Sequence, residues 1–390
     1  MLFTIDTYLP TRVVFGPGRL EELKDLKLPG KKALLCVTAD GLMSKLGIQQ
    51  RVLELLAANG TECVVFDQVQ PNPTKAGVDA ATALAKANGC DFTIGLGGGS
   101  SIDTAKATAV MMVSEGDLWD YAYTGTGGRK EITKAAPIVT ISTTCGTGTE
   151  CDPFCVITNE ESEEKLDFAV DAIFPTLSII DPQLMLTLPR SLTIFQGFDA
   201  LYHAAECYVA NGHKNRMVDL YAAESVRTVA KYLAKVVNDP NDLDARTNLA
   251  FAADILSGYT QALTCVTSHH IIAQTLGGMY PKFPHGATLI VLAEAYYSKV
   301  CALLPEEFDE LGELMGIARD PEKPGYAFVK GNIELMEATG ARYLKMSEYG
   351  VKEEDFDKIV AMTVDQVGVD LDRYTLSKED FVDILKQSYR

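Results

Sequence analysis

The chain has 390 residues, of which 35 are basic and 53 are acidic, so its net charge is −18. A chain of this length can bury a substantial core, and a composition of 47% hydrophobic and 23% charged residues excludes intrinsic disorder. The negative charge argues against a nucleic-acid-binding protein and against adhesion to anionic membranes, because both need a basic surface.

The first half alternates short apolar runs with helical patterns. Strands are expected at 32–38, 62–66, 91–97 and 137–143, with one more within 10–17, and helices at 46–58 and 75–88. Strand–helix–strand alternation, with strands that are apolar on both faces, predicts a parallel, doubly wound sheet. We therefore expect residues 1–185 to form an α/β domain with a Rossmann-like sheet.

The pattern changes near residues 181–182, and the remaining chain has little strand signal. Apolar residues recur there at helical spacing, and helices are predicted at 198–209, 218–237, 244–263, 289–303 and 353–367. We therefore expect residues 186–390 to form an all-α domain.

The N-terminus and the cysteines indicate the compartment. Residues 1–6 lack the basic stretch of a signal peptide and include Asp6, and the longest apolar runs are too short to span a bilayer. The nine cysteines contain no CxxC pair and no zinc-ribbon spacing. We expect a cytoplasmic protein whose cysteines are mostly buried and reduced.

A glycine-rich turn, GLGGGS at 95–100, follows a predicted strand and precedes a predicted helix. Glycines let the backbone approach a pyrophosphate closely, and the free N–H groups at a helix start bind its oxygens. A purely structural alternative is a capping box formed by Ser100 and Asp103. The turn lacks the final glycine of GxGxxG, and it has no Gly-Lys-Ser/Thr, which excludes a nucleoside triphosphatase loop.

A second turn of small residues, STTCGTGTE at 142–150, also follows a predicted strand. Its hydroxyls and glycines could hold ribose, phosphate or nicotinamide amide groups, and an ordinary hydroxyl-capped loop is the structural alternative. Two such turns in one parallel sheet favour an extended dinucleotide over a single phosphate. The sequence therefore predicts that the α/β domain binds a dinucleotide.

The chain has only five histidines, and four of them lie in three segments of the helical half. The candidate metal ligands are Asp199, His203, His269 or His270, and His285. Asp199 and His203 share one face of a helix, and Glu206 continues that face. One carboxylate with three imidazoles suits Zn²⁺ or Fe²⁺, and one of the adjacent pair His269 and His270 is spare because neighbours on a helix point apart. Each histidine taken alone could instead be an ordinary core or surface group.

In combination, these motifs resemble the iron-containing (group III) alcohol dehydrogenase family, which is related to glycerol dehydrogenase and dehydroquinate synthase. The resemblance runs nearly end to end, through TRVVFGPG (11–18), GLGGGSSIDTAKA (95–107), ISTTCGTGTE (141–150), IIDPQLMLTLP (179–189), GFDALYHAAECY (197–208) and PHG (284–286). It implies a dinucleotide-binding α/β domain followed by an all-α metal-binding domain, in agreement with the boundary at residue 185.

The resemblance also implies roles for individual residues. The metal ligands would be Asp199 and His203 of DAxxH, His270 as the first histidine of HxxxH, and His285 of PHG. The pyrophosphate loop and its helix would comprise Gly97, Gly98, Gly99, Ser100, Asp103 and Lys106. Contacts to the other portions of the cofactor would come from Thr143, Thr144 and Thr149.

Three positions depart from the family's pattern. Gln274 replaces the second histidine of HxxxH, which usually lies beside the nicotinamide and is proposed in proton relay, and glutamine cannot titrate. Many NAD-dependent members carry Val-Thr-Asp after the first strand, and its carboxylate would repel the 2′-phosphate of NADP. Asp40 comes one position later here, a departure that counts against NAD, although NAD is still expected over NADP. The segment before PHG is one residue longer and contains Lys282, either a solvated loop lysine or a cation for a sulfonate or carboxylate substrate tail.

The implied function is hydride exchange between NAD(P)H and a short-chain aldehyde or its alcohol at Fe²⁺ or Zn²⁺, in a homodimer. The substrate class includes small anionic aldehydes such as sulfoacetaldehyde. Alternatives are glycerol-dehydrogenase-like polyol oxidation and a dehydroquinate-synthase-like lyase, which should need a denser set of basic residues in the helical half. A non-enzymatic alternative is a cofactor-binding sensor or structural oligomer that keeps the metal for stability.

Overall fold

The computed structural model describes residues 5–390, which divide into two units. The α/β unit comprises Leu9–Thr187, and the helical unit comprises residues 5–8 with Leu188–Arg390. The predicted fold class, a parallel α/β domain followed by an all-α domain, is confirmed.

The α/β unit contains a six-stranded parallel sheet with the order β3–β2–β4–β5–β8–β1. Its strands are β1 (Arg12–Phe15), β2 (Lys32–Thr38), β3 (Glu62–Val69), β4 (Phe92–Gly97), β5 (Ile138–Ser142) and β8 (Leu177–Ile180). Its helices are α1 (Leu42–Lys45), α2 (Ile48–Asn59), α3 (Lys75–Asn88) and α4 (Gly99–Val113). The strands and helices predicted from the sequence in this half are all present, within a few residues at their ends.

The central strands β4 and β5 are buried along their whole length because helices cover both faces of the sheet. Leu35 on β2 belongs to a core cluster with Leu56 of α2, whereas its neighbour Leu34 belongs to a second cluster with Ala85 of α3 and Ala105 of α4. Successive side chains of a strand point to opposite faces, so both must be apolar here.

Three strands in this unit were not predicted. β6 (Phe154–Asn159) and β7 (Glu164–Ala169) form a separate antiparallel pair, and β8 completes the main sheet between β5 and β1. β8 has only four residues, and β6 and β7 include polar side chains, so their patterns were too short or too mixed to read. An all-parallel α/β domain was therefore an incomplete description.

The sheet order creates a switch point between β2 and β4. The chain leaves β2 toward β3 on one side, and then returns to place β4 and β5 on the other side. Ligands of open α/β sheets bind outside the carboxyl ends of the strands at such a point. The residues that follow these two strands are Ala39 and Asp40 after β2, and Gly98 after β4.

The described residues of the helical unit contain no strand. Its helices are α5 (Arg190–Asn211), α6 (Arg216–Asn238), α7 (Leu243–Ala250), α8 (Ser257–Leu263), α9 (Ser268–Met279), α10 (His285–Val300), α11 (Pro305–Leu314), α12 (Tyr326–Thr339), α13 (Phe356–Ala361) and α14 (Lys378–Ser388). π-helical segments join α7 to α8 and follow α13. The helices predicted in this half are present, although α5 begins eight residues earlier than expected. The sequence analysis did not predict α9, α11, α12 and α14.

Within residues 5–390, no single helix has the length and apolar composition needed to cross a membrane, although one bent pair, Leu243–Leu263 with Ser268–Met279, reaches them by length and composition alone.

Candidate functional site

Three histidines converge on one carboxylate oxygen in the helical unit. Asp199 and His203 lie one turn apart on α5, His270 lies on α9, and His285 is the first residue of α10. The Oδ1 atom of Asp199 is 3.3 Å from Nε2 of His270, 3.6 Å from Nε2 of His285 and 3.7 Å from Nε2 of His203. The structure thus brings together the four residues that the sequence proposed as metal ligands.

Close packing of two helices places His285 in this group. A Cβ atom on Gly286 would clash with the backbone carbonyl of Phe195 on α5, so only glycine lets α10 begin this close to α5. The residue before Gly286 is therefore held beside the turn of α5 that carries Asp199. This contact gives a physical reason for the Pro-His-Gly sequence.

The electrostatics of the group favour an anionic Asp199. Burial by itself would raise the pKa of Asp199, but the imidazoles of His203 and His285 and the hydrogen bond from His270 lower it to about 2. Burial lowers the pKa of His270, but Glu206 and Asp199 outweigh burial and raise that pKa to about 9. A cation bound to these ligands would have to displace the proton from His270.

The donor set fits a divalent metal ion. Three imidazole nitrogens and one carboxylate oxygen from three separate segments face one another, and all but His285 are buried. Nitrogen and oxygen donors of this type suit Zn²⁺ and Fe²⁺. Asp199, His203, His270 and His285 would hold the ion.

Glu206, two turns after Asp199 on α5, supports the group from the other side of His270. Its Oε1 atom is 2.7 Å from Nδ1 of His270, and its Oε2 atom accepts from the backbone N–H of Thr267 at 2.8 Å. Burial would raise the pKa of Glu206, but His270 and His269 lower it far below its ordinary value. Because the Nδ1–H of His270 donates to this carboxylate, loss of the Nε2 proton would leave the Nε2 lone pair available to a bound cation.

His269 is the member of the adjacent pair that does not face Asp199, but it has a structural role. Its Nε2 atom is directed at the backbone carbonyl of Leu289 at 3.0 Å, which turns it away from Asp199. Its Nδ1 atom lies 3.0 Å from Oε1 of Glu206, the same oxygen that His270 contacts. The ring is fully buried and stacks on Tyr296 with a centroid separation of 4.9 Å. Neighbouring helical residues do point apart, but a carboxylate between them can contact both rings.

In the α/β unit, the glycine turn and the second small-residue turn are packed against each other. A Cβ atom on Gly98 would lie 2.8 Å from Oγ1 of Thr144, and one on Gly99 would lie 2.8 Å from Cγ2 of Thr147. The backbone N–H of Thr143 donates to the carbonyl of Gly97 at 2.9 Å. Both turns follow adjacent strands of the parallel sheet, β4 and β5.

The start of α4 has the properties of an anion site. Gly98 is the N-cap in an extended conformation, and no side chain caps the first turn. Ser100 lies inside this turn, so the N–H groups at the helix start are not bonded to a capping side chain. The hydroxyl of Thr144 is buried and has no hydrogen-bond partner within residues 5–390. An oxygen-rich ligand such as a pyrophosphate fits these donors.

Asp103 and Thr149 act on each other. Oδ1 of Asp103 accepts from the Thr149 hydroxyl at 2.9 Å, and Oδ2 accepts from the backbone N–H of Val156 at 3.1 Å. The capping box expected of Ser100 and Asp103 is absent because α4 already begins at Gly99. Asp103 instead ties α4 to the second turn and to β6, and the Thr149 hydroxyl lies closer to Asp103 than to its other acceptor, the Phe154 carbonyl at 3.3 Å.

Lys106 anchors the same helix more deeply. It is fully buried, and its Nζ atom donates to Oδ1 of Asp152 and to the backbone carbonyls of Asp152 and Phe154, at 3.1, 2.9 and 2.7 Å. An ammonium group has three protons, so all of them are accounted for. The lysine therefore fixes α4 against the start of β6.

Asp40, Gln274 and Lys282 are not members of the side-chain clusters described above. Asp40 is exposed after β2, and its Oδ1 atom accepts from the Thr38 hydroxyl and the backbone N–H of Leu42, each at 2.9 Å. Gln274 lies one turn after His270 on α9, buried, with an Oε1 atom that has no hydrogen-bond partner in the described chain. Lys282 is exposed in the turn before α10.

Sequence reasoning left several site residues without a role. The spacing of Glu206 on the Asp199 face was a usable signal, since carboxylates seven residues apart on a helix recur on one side. No local pattern indicated the partners of His269 or Asp152, because Leu289 and Lys106 are distant from them in the sequence.

Comparisons with known proteins agree with this division of the chain. Residues 10–182 match the profile of the iron-containing alcohol dehydrogenases, and residues 193–389 match the C-terminal part of the Fe-containing alcohol dehydrogenase family. Alcohol dehydrogenase 4 of Schizosaccharomyces pombe is 34% identical over 354 residues, which cover 90% of this chain and 82% of that protein.

Solved structures are similar over the whole chain. The archaeal alcohol dehydrogenase ADH/D1 from a Red Sea brine pool is 28% identical with a TM-score of 0.93, covering 100% of each chain. The sulfoacetaldehyde reductase of Bifidobacterium kashiwanohense, in complex with NAD⁺, is 25% identical with a TM-score of 0.84, covering 99% of this chain and 98% of that one.

The contacts of Glu206 predict an effect on metal affinity. We expect Glu206→Gln to weaken Zn²⁺ or Fe²⁺ binding by about 10- to 100-fold, because His270 would lose the carboxylate that orients it. The measurement is the dissociation constant of the metal by competition with a chromophoric chelator. Glu334→Gln, at an exposed position of α12, is the control that should retain wild-type affinity. An unchanged dissociation constant in Glu206→Gln would show that this carboxylate does not orient His270.

Proposed function

This chain belongs to the iron-containing alcohol dehydrogenase family and is an oxidoreductase, and we propose that it transfers a hydride between NAD(H) and a short-chain aldehyde or its primary alcohol. The observation that carries this proposal is the single Oδ1 atom of Asp199 facing three Nε2 atoms. The reaction needs a dinucleotide held by the α/β unit and a substrate oxygen held by the helical unit.

The residues of the chain have distinct tasks in this reaction. Asp199, His203, His270 and His285 would bind a divalent ion, and Glu206 holds His270 in the tautomer that binds. When bound, such an ion supplies Lewis-acid polarisation of the substrate oxygen. The packed turns at Gly98 and Thr144 would place the dinucleotide, with its pyrophosphate at the start of α4.

We propose NAD rather than NADP as the preferred cofactor. Asp40 follows β2 at the switch point of the sheet. A carboxylate there would accept a hydrogen bond from a ribose 2′-hydroxyl and would repel a 2′-phosphate. The sulfoacetaldehyde reductase named above was solved with NAD⁺, which supports this preference. Fe²⁺ and Zn²⁺ both fit the donor set.

Lys282 suggests a small anionic aldehyde, such as sulfoacetaldehyde, as substrate. The turn that carries it is fixed on both sides, because the hydroxyl of Tyr280 donates to Asp355 and the ring of Phe283 stacks on Tyr349 at 4.3 Å. These contacts hold the main chain of Lys282 in place, three residues before His285 in the sequence. The likeness to a sulfoacetaldehyde reductase supports the same substrate class.

Metal removal tests the proposed reaction. We expect NADH oxidation with a panel of neutral and anionic short aldehydes to fall by at least about a hundredfold after exhaustive chelation, because substrate polarisation is lost. Activity should return on reconstitution with Fe²⁺ or Zn²⁺, measured as the decrease of NADH absorbance. Full turnover by the metal-free protein would overturn the proposal. Net NADH consumption with a simple aldehyde would also exclude the lyase and the non-enzymatic sensor.

Lys282 gives a prediction for substrate specificity. We expect Lys282→Ala to raise KM for sulfoacetaldehyde by about fivefold, the modest size typical of an exposed ion pair, and to leave KM for propanal unchanged. Lys330→Ala, at an exposed position of α12, is the matched control. Equal changes for the charged and the neutral aldehyde would contradict a role in recognising the anionic tail.

Gln274 gives a prediction for pH dependence. Since glutamine has no proton to exchange, Gln274→His should add an ionisation near about pH 6.5 to the kcat profile and leave metal content unchanged. Gln261→His on α8 is the control, because Gln261 is buried to the same extent, with 8% of its surface exposed. If the profile of Gln274→His follows that of the wild type, position 274 takes no part in proton transfer.

A further inference from the structure

Glu150, the last residue of the second small-residue turn, is fully buried in the α/β unit. Its Oε1 atom contacts the hydroxyl of Ser142, and its Oε2 atom has no hydrogen-bond partner within residues 5–390. The donors to an ionised carboxylate here would be the Ser142 hydroxyl and the backbone N–H of Glu150 itself, too few to offset the cost of burying the charge.

The hydroxyl of Ser142 has one proton and two neighbouring oxygen atoms. The Ser142 hydroxyl also lies 2.9 Å from the backbone carbonyl of Thr144, and a carbonyl oxygen can only accept. A serine hydroxyl has one proton, so it can donate to only one of these two acceptors at a time when Glu150 is ionised. Both contacts become hydrogen bonds only when Glu150 is a neutral carboxylic acid that donates to Ser142 while Ser142 donates to Thr144.

Neighbouring charges do little to compensate an ionised Glu150, because Asp152 raises its pKa and Lys106 lowers it. Lys106 and Asp152 are the charged groups that act on it, and the three protons of Lys106 are already bonded to Asp152 and Phe154. Asp103, which also acts on Lys106 and Asp152 electrostatically, binds Thr149 and Val156. Burial raises the pKa of Glu150 to about 7, and the charge of Asp152 acts in the same direction.

Hydrogen bonds to the main sheet hold the backbone of Glu150. Its backbone carbonyl accepts from the hydroxyl of Ser178 on β8, which in turn accepts from Thr140 on β5 at 2.8 Å. The main chain at Glu150 is therefore tied to the centre of the sheet. An ionised side chain could reach water only if this part of the turn moved.

The hydrogen-bonded chain ends at the surface that faces Gly98. Thr144, whose carbonyl receives the Ser142 proton, packs its side chain against Gly98 at the start of α4. We propose that Glu150 is a positioning residue that holds Thr144 by donating a proton through Ser142, so that dinucleotide affinity depends on the protonation of this one buried carboxyl. This inference rests on the proposed dinucleotide site.

The direction of the pH effect follows from the raised pKa. The neutral form of Glu150 is favoured in the folded protein. Its contribution to the stability of the turn is therefore complete below the ordinary carboxyl pKa and is lost as pH rises through about 7. Ionised Glu150 would compete with the Thr144 carbonyl for the Ser142 proton. Dinucleotide affinity should therefore fall as the solution becomes alkaline.

The test is the dissociation constant of NADH for the full chain, measured by fluorescence at several pH values. Between about pH 6 and about pH 8.5, wild-type affinity should fall by about tenfold. Glu150→Gln should bind with the acidic-pH affinity throughout, because an amide donates a proton to Ser142 and does not ionise. Glu161→Gln, at an exposed position between β6 and β7, should keep the wild-type pH dependence.

A spectroscopic measurement reads Glu150 without any ligand. Infrared difference spectra of the wild-type chain should contain the C=O band of a protonated carboxylic acid that disappears as pH rises and is missing in Glu150→Gln. A pH-independent wild-type dissociation constant, or the same pH slope in Glu150→Gln, would overturn the inference, as would an ionised Glu150 at acidic pH in the infrared spectra. Failure of the wild type to bind NADH at any pH would instead contradict the proposed function.

Discussion

The burial of two carboxylates on one face of α5 determines the arrangement of the helical unit. A carboxylate out of contact with water must be surrounded by donors or by positive charge. Asp199 meets this requirement with three Nε2 atoms, and Glu206 with the Nδ1 atoms of His269 and His270. His270 lies between the two acids and contacts both, so α9 must approach α5 at this level.

In the α/β unit, the corresponding constraint is the close approach of two turns. The turns after β4 and β5 touch because Gly98 and Gly99 leave room for Thr144 and Thr147. Asp103 and Lys106 then fix the helix that begins at these glycines. The net charge of −18 repels an anionic dinucleotide at long range, so the uncapped start of α4 is a local feature that can attract it.

Sequence patterns were informative where one residue type has one physical use. Long apolar runs predicted the parallel strands, and scarce histidines at helical spacing pointed to Asp199 and His203. The hairpin of β6 and β7 was not predicted because each strand has only six residues and mixes apolar with polar side chains in no regular order. The hydrogen bonds of Glu150 and His269 could not be predicted for a different reason. A buried hydrogen bond depends on which distant segment of the chain packs beside the residue, and periodicity carries no such information.

The hairpin of β6 and β7 is held unevenly along its length. Asp103 and Lys106 bind it at Val156 and Phe154, near the open end, whereas residues 160, 161 and 163 at the tip are exposed. Changes of length at the tip would therefore leave the support of α4 intact, and loop tips of this kind tolerate insertions well. For protein engineering, residues 160–163 are a suitable attachment point for a label or an inserted peptide, because they belong to neither of the two candidate sites.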